Sequence, residues 1–121
     1  MRSAAQAYQS VAKQTASPRD LEADLLLKAA ARLQSIQDRW ESEYGKLDDA
    51  LLYNRKLWSI FLTAVTSADN PLPSDVRQNV ASLGLFVMNQ TMTVLSDPKP
   101  ESLRTLISIN RELAAGLRTI R

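Results

Sequence analysis

The sequence predicts an all-α protein: an antiparallel helical bundle of four long helices plus a short N-terminal helix. Apolar residues recur at three- and four-residue spacings along four long segments, with no strand-like alternation. Prolines and a glycine separate these segments, as expected where helices begin and end. A chain of 121 residues, 45% of them hydrophobic, is the size of one domain with one core. Residues 1–121 are therefore predicted to form a single helical domain, in which short connections make neighbouring helices antiparallel.

The first long helix is predicted over residues 18–44. Ser17 is a capping residue, Pro18 suits the first helical position, and Asp20 lies where the helix dipole favours an acid. Gly45 is the predicted stop, in the left-handed backbone conformation that often ends a helix. Apolar residues at three- and four-residue spacing give this helix a core-facing side: Leu26, Ala29, Leu33, Ile36 and Trp40.

A short helix is predicted over residues 4–13, and a helix of this length is marginal in isolation. Three consecutive leucines at positions 25–27 make the beginning of the first long helix apolar nearly all round. We therefore expect the short helix to dock there through Tyr8, Val11 and Ala12.

The second long helix, residues 47–67, is apolar over about half of its circumference, which is typical of a central helix. Trp58 and Phe61 are expected to be fully buried on it. Asn54 lies in its apolar sector, and Asn110 lies in that of the last helix. A buried amide without partners costs about 1–3 kcal/mol, so both are expected to form hydrogen bonds within the fold. Ligand binding by these amides is the less favoured alternative.

The third long helix, residues 73–95, carries two apolar stripes, and Gly84 lies between them where it permits a close helix approach. Phe86 falls in a polar sector of the same helix. One interpretation is that Phe86 covers a loop or a terminal helix. The other is that Phe86 anchors a partner, and in that case the flexible Met88 and Met92 form an adaptable lining nearby. Phe86, Met88 and Met92 are the candidate partner-binding residues.

The fourth long helix, residues 100–118, carries a row of arginines spaced seven residues apart: Arg104, Arg111 and Arg118. A solvated polar face is the favoured interpretation, and an RNA contact is the alternative. Three arginines make few phosphate contacts, and the net charge of the chain is only +2.

The composition argues against catalysis. The chain contains neither cysteine nor histidine, which removes thiolate chemistry and the usual general base near neutral pH. We therefore expect a protein that is not an enzyme and needs no cofactor, metal or small-molecule substrate, although a carboxylate-only magnesium site stays a less favoured alternative. Neither a signal-peptide pattern nor a run of 18 apolar residues is present, so we expect a cytoplasmic protein without membrane insertion.

Six blocks distributed along nearly the whole chain can be compared with known families. They are AAQAY (4–8), ASPRDLEADLLLKAA (16–30), ALLYNRKLW (50–58), DNPLP (69–73), FVMNQT (86–91) and INRELAAGL (109–117). Together they resemble the bacterial flagellar biosynthesis regulator FlaF family.

This resemblance implies a role in making the flagellar filament. Members of the family support flagellin production and export, act opposite the translational regulator FlbT, and are thought to bind flagellin as a secretion chaperone. The resemblance thus implies flagellin as the partner, with FlbT as a further candidate. The alternative is an RNA-associated post-transcriptional regulator that contacts flagellin mRNA through the arginine row.

Overall fold

The computed structural model of the protein describes residues 18–119, which form an all-α bundle without strands in that range. Its four long helices are α1 (Pro18–Asp38), α2 (Leu47–Val65), α3 (Ser74–Ser96) and α4 (Arg104–Thr119). Shorter elements lie in the connections: helix Trp40–Glu43, 3₁₀ turn Tyr44–Lys46 and 3₁₀ turn Pro100–Leu103. The predicted fold class and the four long helices are confirmed. None of these helices is both long enough and apolar enough to cross a membrane.

The predicted helix over residues 4–13, its docking and the Ser17 cap lie outside the described residues.

The connection between α1 and α2 differs from the predicted helix over residues 18–44. α1 ends at Asp38, and Arg39 leaves the helical conformation with φ −125° and ψ 46°. A new turn starts from that residue, because the Glu43 amide donates to the Arg39 carbonyl over 2.8 Å. Gly45 lies in the following 3₁₀ turn, and no glycine among the described residues has a positive φ. The predicted left-handed stop at Gly45 is wrong, because a tightened 3₁₀ turn leads directly into α2.

The other helix ends lie close to the predicted positions. Asn70 organises the loop between α2 and α3: its Nδ2 donates to the Ala64 carbonyl over 3.1 Å, and its Oδ1 accepts from the Leu72 amide over 3.0 Å. Pro73 directly precedes α3, and Pro100 begins the 3₁₀ turn that leads into α4. Both prolines therefore lie at a helix start, where the missing N–H costs no hydrogen bond.

Side-chain contacts at both ends show that α4 runs antiparallel to α1. Near the end of α1, Gln37 Nε2 donates to the Pro100 carbonyl over 2.8 Å. Near its beginning, the Asp24 carboxylate is paired with the Arg118 guanidinium of α4. α2 packs against both α1 and α3, and the short connections make these pairs antiparallel too. The helices therefore follow the order α4, α1, α2, α3 around the bundle.

The core contains the two aromatic residues predicted for it. Trp58 is fully buried and Phe61 is 5% exposed. Their ring centroids lie 5.9 Å apart in an edge-to-face arrangement, which is a favourable geometry for an aromatic pair. The predicted burial of this face of α2 is confirmed.

Candidate partner-binding surface

Large apolar side chains are exposed at several places among the described residues. They are Leu21, Leu25, Tyr44, Leu52, Ile60, Leu85, Phe86 and Met92. The last three lie on α3 within seven residues of one another along the helix, and Leu85 is 64%, Phe86 43% and Met92 54% exposed. Exposed apolar side chains that are grouped in this way are typical of a surface that binds another molecule.

The buried side of α3 determines which residues face outward. Val80, Val87 and Val94 are at most 3% exposed and recur every seven residues along one line of the helix. Gly84 lies beside this line and faces α2, because a Cβ at that position would be 2.5 Å from Leu62 Cδ2. The predicted close helix approach at Gly84 is thus confirmed.

The candidate residues Phe86, Met88 and Met92 do not form one continuous stripe. At about 100° per residue, Met88 and Met92 lie with Leu85 on one flank of α3, whereas Phe86 lies on the other. A polar strip that includes the exposed Asn89 separates the two flanks. Phe86 and Met92 are both accessible, but Met88 is half-buried and packs against the core.

Leu85 is the most exposed residue of this surface and was not among the candidates taken from the sequence. Its signal was present: Leu85, Met88 and Met92 follow the spacing i, i+3, i+7 of one helix face. We define the α3 surface as Leu85, Phe86, Met88 and Met92.

Comparison with known protein families identifies the family of the whole chain. The family described as flagellar protein FlaF matches residues 4–117. The chain belongs to the FlaF family. The match includes nearly all of the described bundle and also residues 4–17, which precede it. No curated protein and no solved structure matches the chain significantly.

The two buried asparagines of this FlaF-family chain bond to each other, and Asn110 also bonds to Trp58. Asn110 Oδ1 accepts from Trp58 Nε1 over 2.9 Å, and Asn110 Nδ2 donates to Asn54 Oδ1 over 2.7 Å. Asn110 Nδ2 also lies 3.4 Å from the Leu26 carbonyl oxygen. The predicted hydrogen bonding is confirmed, although Asn54 Nδ2 has no partner. Because these groups join α1, α2 and α4 in the interior, their arrangement is structural.

The arginine row of α4 is exposed along its whole length, as the spacing predicts. Arg104, Arg111 and Arg118 all lie at the surface. Arg118 is paired with Asp24 of α1, which neutralises part of the charge at that end of the row. The exposed Glu112 follows Arg111 directly and adds a further negative charge. The row therefore offers an RNA backbone less positive charge than the count of arginines suggests.

A polar cleft of about 610 Å³ lies at the corner between α1 and α2. Charges of both signs are present among the residues that line it, which are Arg32, Ser35, Ile36, Arg39, Glu43, Lys46 and Asp49. Lys46 Nζ lies 2.9 Å from Glu43 Oε2, and this hydrogen bond lowers the pKa of the Glu43 carboxyl. No group of three or more acidic, histidine or cysteine side chains within residues 18–119 is arranged to hold a metal ion.

Proposed function

We propose that this FlaF-family protein is a flagellin-binding export chaperone. In this proposal it promotes flagellin synthesis and secretion and opposes the translational regulator FlbT. It acts in the cytoplasm by binding alone, as a non-enzyme without cofactor, metal or small-molecule substrate. Family membership supports the flagellar role. The observation that carries the binding role is the exposure of Leu85, Phe86 and Met92 on one helix.

An unassembled filament subunit presents amphipathic helices whose apolar sides would otherwise associate. A chaperone can hold such a helix by burying its apolar side against an exposed apolar helix surface. The α3 surface has this chemistry, and its methionines can adapt to more than one helix sequence.

We place the flagellin helix across the outer side of α3. A helix that crosses α3 obliquely over Asn89 contacts both flanks: Phe86 on one side, and Leu85 with Met92 on the other. Phe86 acts as the anchor, because a rigid aromatic side chain loses little conformational freedom on burial. Met88 lies at the base of the contact, where it also packs against the core.

The deciding experiment is a calorimetric titration of flagellin into the wild-type chain and the Phe86→Ala variant. An aromatic anchor in an interface is worth about 2 kcal/mol or more, so the variant should bind flagellin about thirtyfold more weakly. Phe86 is 43% exposed, so helicity and melting temperature should change little.

Arg111→Ala is the matched control, because Arg111 is exposed on α4 and lies outside the α3 surface. It should bind flagellin as the wild-type chain does. Wild-type affinity in Phe86→Ala, or unfolding of that variant, would exclude Phe86 as the anchor. A parallel titration with FlbT tests direct contact with that regulator.

The RNA-associated alternative draws its support from the exposed arginine row. It predicts that flagellin leader RNA binds the chain with an affinity that falls steeply between low and high salt, and that Arg111→Ala weakens this binding. Pairing of Arg118 with Asp24 and the absence of an aromatic side chain among the arginines on α4 favour the chaperone role.

A further inference from the structure

We infer that residues 4–13 of this chain dock on an exposed apolar patch formed by Leu21 and Leu25 of α1 and Ile60 of α2. We call these three residues the α1–α2 patch; Leu21 and Leu25 are each 42% exposed and Ile60 is 59% exposed. This docking is independent of the partner that the α3 surface binds.

The contact between Arg32 and Tyr53 shows how the patch residues are aligned. The Arg32 guanidinium carbon lies 5.1 Å from the centroid of the Tyr53 ring. Leu25 precedes Arg32 by seven residues on α1, and Ile60 follows Tyr53 by seven residues on α2. Because the two helices are antiparallel, both steps run in the same direction, over two turns or about 10.5 Å. The two side chains therefore lie at the same level and on the same side of the α1–α2 pair.

The surface of α2 is also recessed at this level. A shallow depression of about 440 Å³ is lined by Ile60 and Ala64 together with Lys56, Ser59 and Thr63. Most of these side chains are short, so another helix can approach α2 closely there. This depression on α2 and the α1–α2 patch beside it together form a shallow, partly apolar surface, which we call the groove.

Residues 4–13 have the pattern and the length to occupy this groove. Their apolar side chains follow the spacing of one helix face: Ala4, Ala7, Tyr8, Val11 and Ala12. A ten-residue helix is about 15 Å long, whereas Leu21 and Leu25 are about 6 Å apart along α1. The family match begins at residue 4, so this segment belongs to the domain that the family shares.

The covalent connection favours this segment over a separate molecule. Residues 14–17 join it to Pro18 at the start of α1, and four residues span up to about 14 Å. That reach lets the segment turn back and lie along α1 over Leu21 and Leu25. A tethered segment has a high effective concentration at a groove so close to its attachment point.

The absence of cysteine permits a single spin label on the full chain. We place it at Gln9→Cys, on the polar side of the segment, and measure paramagnetic broadening of methyl resonances. Leu21, Leu25 and Ile60 should broaden strongly, whereas Leu85 and Met92 of the α3 surface should not. Broadening at α3, or at no methyl group of the bundle, would overturn the proposal.

Ile60→Glu and Leu52→Glu form a matched pair of variants. Both residues are on α2 and more than half exposed, at 59% and 51%, so neither substitution disturbs the core. Ile60→Glu should abolish the broadening at Leu25 and lower the melting temperature, and Leu52→Glu should do neither. Equal behaviour of the two variants would contradict docking at the patch.

A mixed sample separates docking within one chain from docking between two copies. Spin-labelled chain at natural isotopic abundance is mixed with isotope-enriched chain that carries no spin label. No broadening is expected in the enriched chain. Broadening at Leu25 or Ile60 in that sample would mean that a second copy supplies the segment, and the proposal would be wrong.

Discussion

Replacing Asn110 with alanine leaves two buried side chains without their partners. Trp58 Nε1 loses its 2.9 Å bond to Asn110 Oδ1, and Asn54 Oδ1 loses its 2.7 Å bond from Asn110 Nδ2. All three side chains are completely buried, so solvent cannot replace the lost bonds without a rearrangement of the core. Each unsatisfied buried group costs about 1–3 kcal/mol. Asn110→Ala should therefore lower the free energy of unfolding by about 2–6 kcal/mol, a large part of the 5–15 kcal/mol typical of a domain.

Asn54→Leu provides the comparison from within the same network. It removes Asn54 Nδ2, which already lacks a partner, together with one accepted bond. Asn110 keeps its bond from Trp58 and its longer contact with the Leu26 carbonyl. The cost should therefore be smaller than that of Asn110→Ala.

Urea unfolding followed by circular dichroism measures both changes, with unchanged m-values as the sign of an intact two-state transition. The reasoning from unsatisfied groups fails if Asn110→Ala lowers the free energy of unfolding by less than about 1 kcal/mol. It also fails if Asn54→Leu lowers the free energy of unfolding by as much as Asn110→Ala does.

Four further substitutions test the packing and electrostatics of the bundle. Phe61→Ala should lower the free energy of unfolding by about 3–5 kcal/mol in the same urea titration, because removal of this 5% exposed side chain creates a cavity in the core. Melting of the variant near the wild-type temperature would contradict the burial of Phe61. An alanine Cβ at position 84 would lie 2.5 Å from Leu62 Cδ2, so Leu62 has to shift, and this cost offsets the helix-propensity gain of the substitution. An alanine Cβ at position 116 would meet nothing within 4 Å, so Gly116→Ala should stabilise helix α4 by up to ~1 kcal/mol, and Gly84→Ala should be the less stable of the two variants. Equal effects at the two glycines would disprove the close approach. Burial raises the pKa of the Glu22 carboxyl, which means that the folded state favours the protonated form of this group. The resulting contribution to stability is present below the unfolded-state pKa and is lost as the pH rises through the folded-state pKa. Glu22→Gln should therefore raise the melting temperature at pH 7 and lose this advantage below about pH 4, and a gain independent of pH would have another cause.

The sequence predicted the helices well because their limits are local. Proline at positions 73 and 100 marks helix starts through its own backbone chemistry, whatever surrounds it. The turn at Arg39 could not be found in this way, since neither glycine nor proline is present there. Gly45 was predicted to end the helix instead, because glycine readily adopts a positive φ, but Gly45 does not have a positive φ in the structure.

The candidate site was predictable only in part, because exposure depends on neighbouring helices. The apolar periodicity of α2 includes Ile60 in the same broad sector as Trp58, yet Ile60 is 59% exposed and Trp58 fully buried. The two side chains differ because no described helix covers the side of α2 that carries Ile60. Phe86 was recognised because an aromatic residue interrupts a polar sector, a signal that needs no tertiary information.

The buried amides also decide how the helices are aligned along their axes. Leucines and valines of neighbouring turns are nearly interchangeable, so an apolar interior alone permits one helix to slide by a turn, about 5.4 Å, against another. Asn54 on α2 and Asn110 on α4 meet at one level, beside the Leu26 carbonyl of α1. A slide of one turn would press both amides against aliphatic side chains and strand the Trp58 indole N–H. One polar layer thus gives α1, α2 and α4 a single axial register relative to one another.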